Sequence, residues 1–297
     1  MSLRQSDVVG RQNSETNYLS LPTFTVVTPN YNMGRYLAET IESVLRNLQP
    51  GDEYYVIDGG SQDDSVAVIR AHEKRLTGWV SEPDQGYAHA ISKGLTRSNG
   101  DLQCWVNSGD LMLDGALDFV RSYFSRSDAE FIFGDDYYID EGSRVIFQSH
   151  GGMRSLKNMM LFGGWTPLQD ACYWRRSLYE KVGGIDPAYR YAADFELFLK
   201  FAMQDEGEYV PTAFSAFRQH GGQKSRSGVA QYEQEKKMAT HKHAQRCGFV
   251  GFRYLPLKFG YAAWCRLRAR IFQHFWNSRA KSGVPVSTLH LSGSLLS

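Results

Sequence analysis

The chain has 297 residues, 42% hydrophobic, 13% aromatic and 22% charged, with 28 Gly and 9 Pro. This excludes a disordered, collagen-like or low-complexity protein. The length suits one large α/β domain or two smaller ones, with enough core to fold without staples. Cys104, Cys172, Cys247 and Cys265 show no Cys-x-x-Cys spacing. Neither a zinc site nor a disulfide framework is expected, and a reducing compartment is. Residues 1–21 are polar, lack the apolar run of a signal peptide, and read as a flexible leader. No stretch offers the roughly 18–20 uninterrupted apolar residues of a membrane span, so the expected location is cytoplasmic. The net charge of +1 hides a division: residues 1–235 hold 22 Lys+Arg against 32 Asp+Glu, and residues 236–297 hold 11 against none. An acidic body with a basic C-terminal segment of separate purpose is expected.

In chain order, Phe24 to Thr28 is a short apolar, β-branched run that predicts a buried strand. Leu37, Ile41, Val44, Leu45 and Leu48 recur at helical spacing. Tyr54 to Ile57 is a second strand, ending at Asp58-Gly59-Gly60-Ser61. Helical patterns at about 63–76 and 87–97 enclose a short strand at Trp79-Val80. Leu102 to Val106 is another strand, stopping at Asn107-Ser108-Gly109-Asp110; a helix near 114–125 then leads to a strand at Glu130 to Phe133. This alternation predicts an α/β fold with a mostly parallel sheet covered on both faces.

Polar residues gather just after strands, at Thr28-Pro29-Asn30-Tyr31-Asn32, at Asp58 to Ser61 and at Asn107 to Asp110. Ligands of open α/β sheets bind outside the carboxyl ends of the strands, so one site at one sheet edge is expected; turn formation by Asn, Gly and Asp is the plainer alternative. Neither G-x-G-x-x-G nor G-x-x-x-x-G-K-[ST] occurs, which leaves dinucleotide and P-loop sites without support. Asp110 at a strand end could bind a divalent ion, which would neutralise a diphosphate.

Thr-Pro-Asn-Tyr-Asn at 28–32, Ile-Asp-Gly-Gly-Ser at 57–61, Glu-Pro-Asp-Gln-Gly at 82–86 and Val-Asn-Ser-Gly-Asp at 106–110 resemble the family-two inverting glycosyltransferases. So do the run from Arg175 to Asp186 and Tyr-Ala-Ala-Asp-Phe-Glu-Leu-Phe-Leu at 191–199. The resemblance covers roughly 22–226 and implies the nucleotide-diphosphosugar transferase fold, GT-A. It implies that Thr28, Pro29, Asn30 and Tyr31 cradle the nucleoside, with Tyr31 stacking or hydrogen-bonding, or else capping the next helix. Asp58 would accept from base or ribose. Asp84, with Lys93, would form a second nucleotide-contacting element, Lys93 being alternatively a solvated helix residue. Ser108 and Asp110 would face the diphosphate, and Asp110 with His220 would hold Mg²⁺ or Mn²⁺, an imidazole ligand favouring Mn²⁺. His220 is otherwise a turn residue before Gly221-Gly222, whose amides, with Lys224 and Arg226, could also meet phosphate. Relatives commonly carry a second carboxylate at the positions of Gly59 and Gly109. The resemblance makes Asp194 the catalytic base, opening a helix that runs to about Met203, with Glu196 as the weaker alternative. A general base is the group an inverting transfer needs, because no covalent intermediate forms. Trp165, Gln169, Asp170 and Tyr191 would border the acceptor, although Trp165 and Tyr191 could equally be core.

Residues 227–281 read as a helical C-terminal segment, polar over 229–247 and amphipathic over 253–277. Over 253–277 Tyr261, Trp264, Leu267, Ile271, Phe272, Phe275 and Trp276 oppose Arg266 and Arg270. Such a helix suits an anionic lipid surface or, alternatively, packs on the body; residues 282–297 read as a flexible tail. The implied activity is metal-dependent transfer of a sugar from a nucleotide-diphosphate sugar to a saccharide or lipid-linked saccharide. Surface polysaccharide or glycolipid assembly is the implied setting, at the inner face of a membrane and with no nucleic-acid partner. The rivals are a non-catalytic nucleotide- or sugar-binding relative and a sugar-1-phosphate nucleotidyltransferase.

Overall fold

The computed structural model describes residues 21–150, 156–163, 166–221, 228–246 and 283–289, together with 260, 263 and 291. Strand β1 (Phe24–Asn30) is buried along its whole length, as a continuous apolar and β-branched run covered on both faces should be. It pairs in parallel with β2 (Glu53–Asp58) on one side and β4 (Leu102–Trp105) on the other, and β3 (Gly78–Ser81) adds in parallel to β2. The connections carry α1 (Gly34–Leu45), α2 (Ser65–His72) and α3 (Tyr87–Leu95). Leu37, Ile41 and Val44 form the buried stripe of α1, the face that their three- and four-residue spacing defines. The register sets Asn30 opposite Asp58 and Asp58 opposite Ser81, so the polar strand ends stand in a row.

The second half is mixed. Two-residue β5 (Leu111–Met112) and α4 (Ala116–Phe124) lead to β6 (Phe131–Ile139), β7 (Val145–Ser149) and a helical turn, α5 (Leu156–Asn158). Then come β8 (Cys172–Arg175), α6 (Arg176–Lys181), α7 (Ala193–Gln204), β9 (Glu208–Arg218) and α8 (Val229–Arg246). The strand order is β3-β2-β1-β4-β8-β6-β9-β5, with β7 also on β6. β8 runs antiparallel to both β4 and β6, whereas β9 is parallel to β6. Parallel pairing therefore extends through the first four strands, as expected, and short antiparallel strands join that half to the β6–β9 pair.

Helix α7 buries Phe195, Leu197, Phe198, Leu199 and Phe201; a helix apolar on most sides belongs in the interior. Phe198 stacks on Trp105 of β4 at 5.8 Å and on Phe131 of β6 at 5.6 Å, and Phe201 packs on Trp174 of β8 at 5.5 Å. Aromatic packing thus seats α7 on three strands and places its first turn. Helix α8 packs on α7, and its Ala239 and Ala244 join the same core. The amphipathic stretch 253–277 lies outside the described residues except for Gly260 and Ala263. Gly283–Leu289, expected as part of a loose tail, is docked: Val286 is buried beside Leu111, Ile139 and Val145, and Val145 N donates to Val284 O at 2.9 Å. One buried side chain and backbone pairing hold it, neither of which makes a periodic pattern. Among the described residues no helix is long and apolar enough to cross a membrane.

The start of β1 rests on a buried ion pair. Arg121 (3% exposed) meets Asp52 (0%) at 2.7 Å, and Asp52 also accepts Phe24 N and Gln49 N, both at 2.8 Å. Removing one partner of a buried pair leaves the other charge uncompensated. Asp52→Ala is therefore expected to destabilise the fold by about 3–5 kcal/mol, read from urea unfolding; a loss below about 1 kcal/mol would contradict this role.

Candidate active site

The donor-side loops meet on Asp58. Its buried carboxylate accepts from Asn30 Nδ2 (2.6 Å) and Ser61 Oγ (2.5 Å) on one oxygen. Gly60 N (3.2 Å), Ser61 N (3.0 Å) and Ser81 Oγ (2.6 Å) donate to the other. Burial raises its pKa, but the hydrogen bonds from Ser61, Ser81 and Asn30 outweigh burial and hold the carboxyl below its ordinary value. A carboxylate has about four lone-pair sites, so Asp58 is saturated by donors from its own loop, β1 and β3. Expected to receive the base or ribose, it instead ties 59–61 to β1 and β3.

The other donor-side residues divide into frame and surface. Thr28 turns its hydroxyl to Tyr54 Oη at 2.9 Å inside the core, and Pro29 O accepts Ser108 Oγ at 2.9 Å. These bonds join the β1 loop to the β4 loop. Tyr31 is 59% exposed and is the expected contact whose ring faces solvent most fully. Asp84 Oδ1 accepts Gly86 N at 2.7 Å. Its other oxygen lies where a Cβ on Gly59 would be, at 2.7 Å. Asp84 thus occupies the space that a side chain at 59 would need. Lys93 is paired with Glu82 at 2.7 Å.

After β4, Gly109 (φ 107°) turns the chain in a conformation that favours glycine, and Asp110 follows, 4% exposed. Asp110 Oδ1 accepts Arg218 N at 2.9 Å. The buried Arg218 guanidinium donates to Gly109 O (2.7 Å), Ser143 Oγ (3.0 Å) and Glu39 Oε2 (2.6 Å), and lies 4.8 Å over the Tyr36 ring. His220 packs on the other partner of that patch, its ring 5.5 Å from Tyr36. Gln169, expected beside the acceptor, bridges Asn107 Nδ2 (2.5 Å) and Trp105 O (2.8 Å) with its amide. Asp170 is buried with Asp136 and within electrostatic reach of Asp110. Burial and then mutual repulsion raise Asp110 and Asp136 well above the usual carboxylate range, and burial takes Asp170 to about 6. Asp136 and Asp170 meet carboxyl to carboxyl, and no other donor reaches Asp136 Oδ2 or Asp170 Oδ2, so the pair is suited to share one proton. Among the described residues no three His, Cys, Asp or Glu side chains converge to hold a metal. Crowded carboxylates beside Asp110 nonetheless fit a neighbouring cation, provided other oxygens complete its shell.

Asp194 stands in the first turn of α7, partly accessible, its Oδ1 accepting Phe195 N at 2.8 Å. Burial raises its pKa to about 6, opposed by the amides of Phe195 and Asp194 itself, by the Lys236 cation and by Tyr87. Cys172, at the start of β8, lies within electrostatic reach of both Asp170 and Asp194, so β8 links the Asp110 side to the Asp194 side. Glu196, the weaker candidate, is 1% exposed and paired with Lys200 (3.1 Å) and His243 (3.2 Å), which commits it to the interior. Tyr191 borders a groove between 186–191 and α8. Trp165, Lys224 and Arg226 lie outside the described residues.

Sequence reasoning missed Asp136, Arg218, Tyr87 and Glu235. Only Asp136 carried a local signal, as one of two carboxylates inside the apolar run Phe131–Ile139; the others act across long sequence separations.

Residues 25–183 match the family described as Glycosyl transferase family 2. An uncharacterized glycosyltransferase of Mycobacterium tuberculosis is 30% identical over 189 residues, covering 62% of this chain and 70% of that one. The structure of S. aureus TarS 1-349 in complex with UDP-GlcNAc is similar at TM-score 0.53 and 15% identity, over 69% of this chain and 61% of that one. The mannosyltransferase PcManGT from Pyrobaculum calidifontis, in complex with GDP-Man and Mn2+, is similar at TM-score 0.54 and 18% identity, over 81% and 69%. The fold is the GT-A type. The chain belongs to glycosyltransferase family 2.

The Gly59–Asp84 contact yields a test. Gly59→Asp, which brings a second carboxylate to this contact, is expected to push Asp84 off Gly86 N and set two like charges together. Stability should fall by about 1–3 kcal/mol, the scale of a lost hydrogen bond to a charged group, and Asp84→Gly in the same chain should restore most of it. Equal melting temperatures for Gly59→Asp and the parent would refute the contact.

Proposed function

We propose that the protein transfers a sugar from a nucleotide-diphosphate sugar to a hydroxyl of a saccharide or lipid-linked saccharide, with inversion at the anomeric carbon. The observation that carries this reading is Asp194: a single desolvated yet accessible carboxylate beyond the donor-side loops, with a pKa of about 6. In the proposed step the acceptor oxygen forms a bond to the anomeric carbon while the bond from that carbon to the diphosphate breaks. The hydroxyl proton passes to Asp194, and the diphosphate leaves with the bonding electrons. No protein nucleophile is needed, because inversion is one displacement by the acceptor oxygen.

On the donor side, Tyr31 would meet the nucleoside, with Asp84 and Lys93 beside it, while Thr28, Pro29, Asn30, Asp58 and Ser108 hold the loops that shape the pocket. Asp110, with His220, would hold a divalent ion whose shell the diphosphate completes. Such an ion, Mn²⁺ or Mg²⁺, supplies charge stabilisation for the departing diphosphate. Support comes from the mutual repulsion of the Asp110, Asp136 and Asp170 carboxylates, which a cation would relieve, and from the Mn2+ that PcManGT carries. TarS 1-349 carries UDP-GlcNAc and PcManGT GDP-Man, which supports the donor class and leaves base and sugar to experiment. The acceptor would enter by Tyr191. The carboxylate-free basic segment after α8 supports a station at the anionic inner face of a membrane, in surface polysaccharide or glycolipid assembly.

The primary test is release of nucleoside diphosphate from a panel of UDP- and GDP-sugars with Mn²⁺ or Mg²⁺ and saccharide acceptors. Asp194→Asn should lower turnover by roughly 10²–10⁴-fold with donor affinity kept; undiminished turnover would remove Asp194 from the role. The base acts as its anion, so kcat/KM should fall as pH drops through about 6, the value set by burial of Asp194. A profile flat from pH 5 to pH 8 would contradict the assignment. Exhaustive chelation, and separately Asp110→Ala, should abolish metal-dependent nucleoside-diphosphate binding in calorimetry. Binding and activity that survive chelation would overturn the metal reading.

A further inference from the structure

The N–H groups of six consecutive residues run up to the proposed base, and three side chains satisfy all of them. Helix α7 has no cap from its own N-cap residue, Ala192, so the orphan donors of its first turn must find partners elsewhere. Glu235, more than forty residues later on α8, accepts Arg190 N at 3.0 Å on one oxygen. Tyr191 N (2.8 Å) and Ala192 N (2.9 Å) donate to its other oxygen. Tyr87, the first residue of α3, accepts Ala193 N (2.9 Å) and Asp194 N (3.4 Å), and donates to Tyr191 O (3.2 Å). Asp194 takes Phe195 N itself. The chain leading into the base is thus clamped between α3, on the donor side, and α8.

Helix α8 is itself fixed. Its His243 and Lys242 reach the buried Glu196, at 3.2 and 3.7 Å, and Lys242 reaches Asp186 at 3.7 Å. One residue beyond Glu235, Lys236 lies 5.5 Å over the Phe195 ring and 5.2 Å over that of Tyr232. The family match covers residues 25–183, so α8 lies beyond the matched region.

We infer that α8 belongs to the catalytic apparatus, with Glu235 the positioning residue that sets the place of Asp194. The inference rests on the proposed function, in which Asp194 is the base. A carboxylate holding three amides at a helix start combines charge-assisted hydrogen bonds with the helix dipole. Its loss would let 190–194 relax, and displacement of a base by about 1 Å can cost on the order of 10²-fold in rate.

The experiment uses the full chain and compares Glu235→Gln, Glu235→Asp and Lys237→Ala with the parent and with Asp194→Asn. Lys237 is on the same helix, is exposed, and lies outside the groove that Tyr191 borders. Glu235→Gln presents an NH₂ group to N–H donors. It should lower kcat about ten- to a hundredfold, leave donor KM and nucleoside-diphosphate affinity within about twofold, and keep a cooperative melt. Glu235→Asp retains the charge with a shorter reach and should recover part of kcat; Lys237→Ala should match the parent. If Glu235→Gln does not fold, Glu235→Asp alone decides: a reduced kcat with unchanged KM supports the role. Parent-like kcat in either folded Glu235 variant overturns it, as does a loss confined to KM. If Asp194→Asn keeps full turnover, the base assignment fails first. If Asp194→Asn is inactive while Glu235→Gln is normal, only the positioning role fails.

Discussion

Backbone N–H groups at the ends of strands and helices are the donors this fold has to satisfy, and carboxylates satisfy them. Asp52 takes Phe24 N and Gln49 N; Asp63 takes Gly34 N at 2.8 Å and Ser65 N at 3.0 Å. Asp58 takes Gly60 N and Ser61 N, Asp84 takes Gly86 N, Asp110 takes Arg218 N, and Glu235 takes three more. Each such bond is charge-assisted and stronger than a neutral one. Each also joins segments distant in sequence or closes a turn, so the same interaction that satisfies the backbone makes the loops rigid. Rigid loops are what a site needs if it works by placing two substrates and a base in register.

The constraint divides the carboxylates by task. Asp58 is hydrogen-bonded on both oxygens and stays ionised, which makes it a structural hub without a free lone pair for a ligand. Asp110, Asp136 and Asp170 are crowded, with Asp136 and Asp170 carboxyl to carboxyl, so the group favours a proton or a cation. Asp194 is the exception: partly accessible, its pKa raised by burial and tempered by the amides of Phe195 and Asp194, by Lys236 and by Tyr87. The proposed base role calls for that combination, since a saturated carboxylate has no basicity to offer and a sealed one cannot reach a hydroxyl.

The first four strands and their helices were legible because their signals are local. β-branched runs, a three-to-four spacing in α1 and polar turns after β1, β2 and β4 all lie within a few residues of what they specify. Strand β9 was not read: Pro211 interrupts its pattern, and its pairing with β6 is set by tertiary packing. The polar clusters after β1, β2 and β4 were legible by motif. A motif shows that a polar residue is needed and not whether its lone pairs face a ligand or the protein, and Asp58 and Gln169 spend theirs within the fold. Arg218 and Glu235 were invisible for a related reason. Their partners, Gly109 with Glu39 for one and residues 190–192 for the other, are near only after folding.

Folding also changes the meaning of the charge division. Of the 11 Lys and Arg after residue 235, four fall in α8 and seven beyond it. Within α8, Lys236 pairs with Glu233 and bears on Asp194, while Lys242 meets Asp186 and Glu196. The first part of the basic segment is therefore complementary to the acidic body and is used within the fold. A basic helix laid on an acidic domain gains from its long-range field as well as from these pairs, and the field falls off over a Debye length of about 8–10 Å. The remaining seven cations follow the last described turn of α8, and their sequence neighbours include no carboxylate to neutralise them. Charge that reads as one undivided property of the C-terminus thus separates into a share on α8 that is used within the fold, near Asp194, and the seven cations that follow it in sequence.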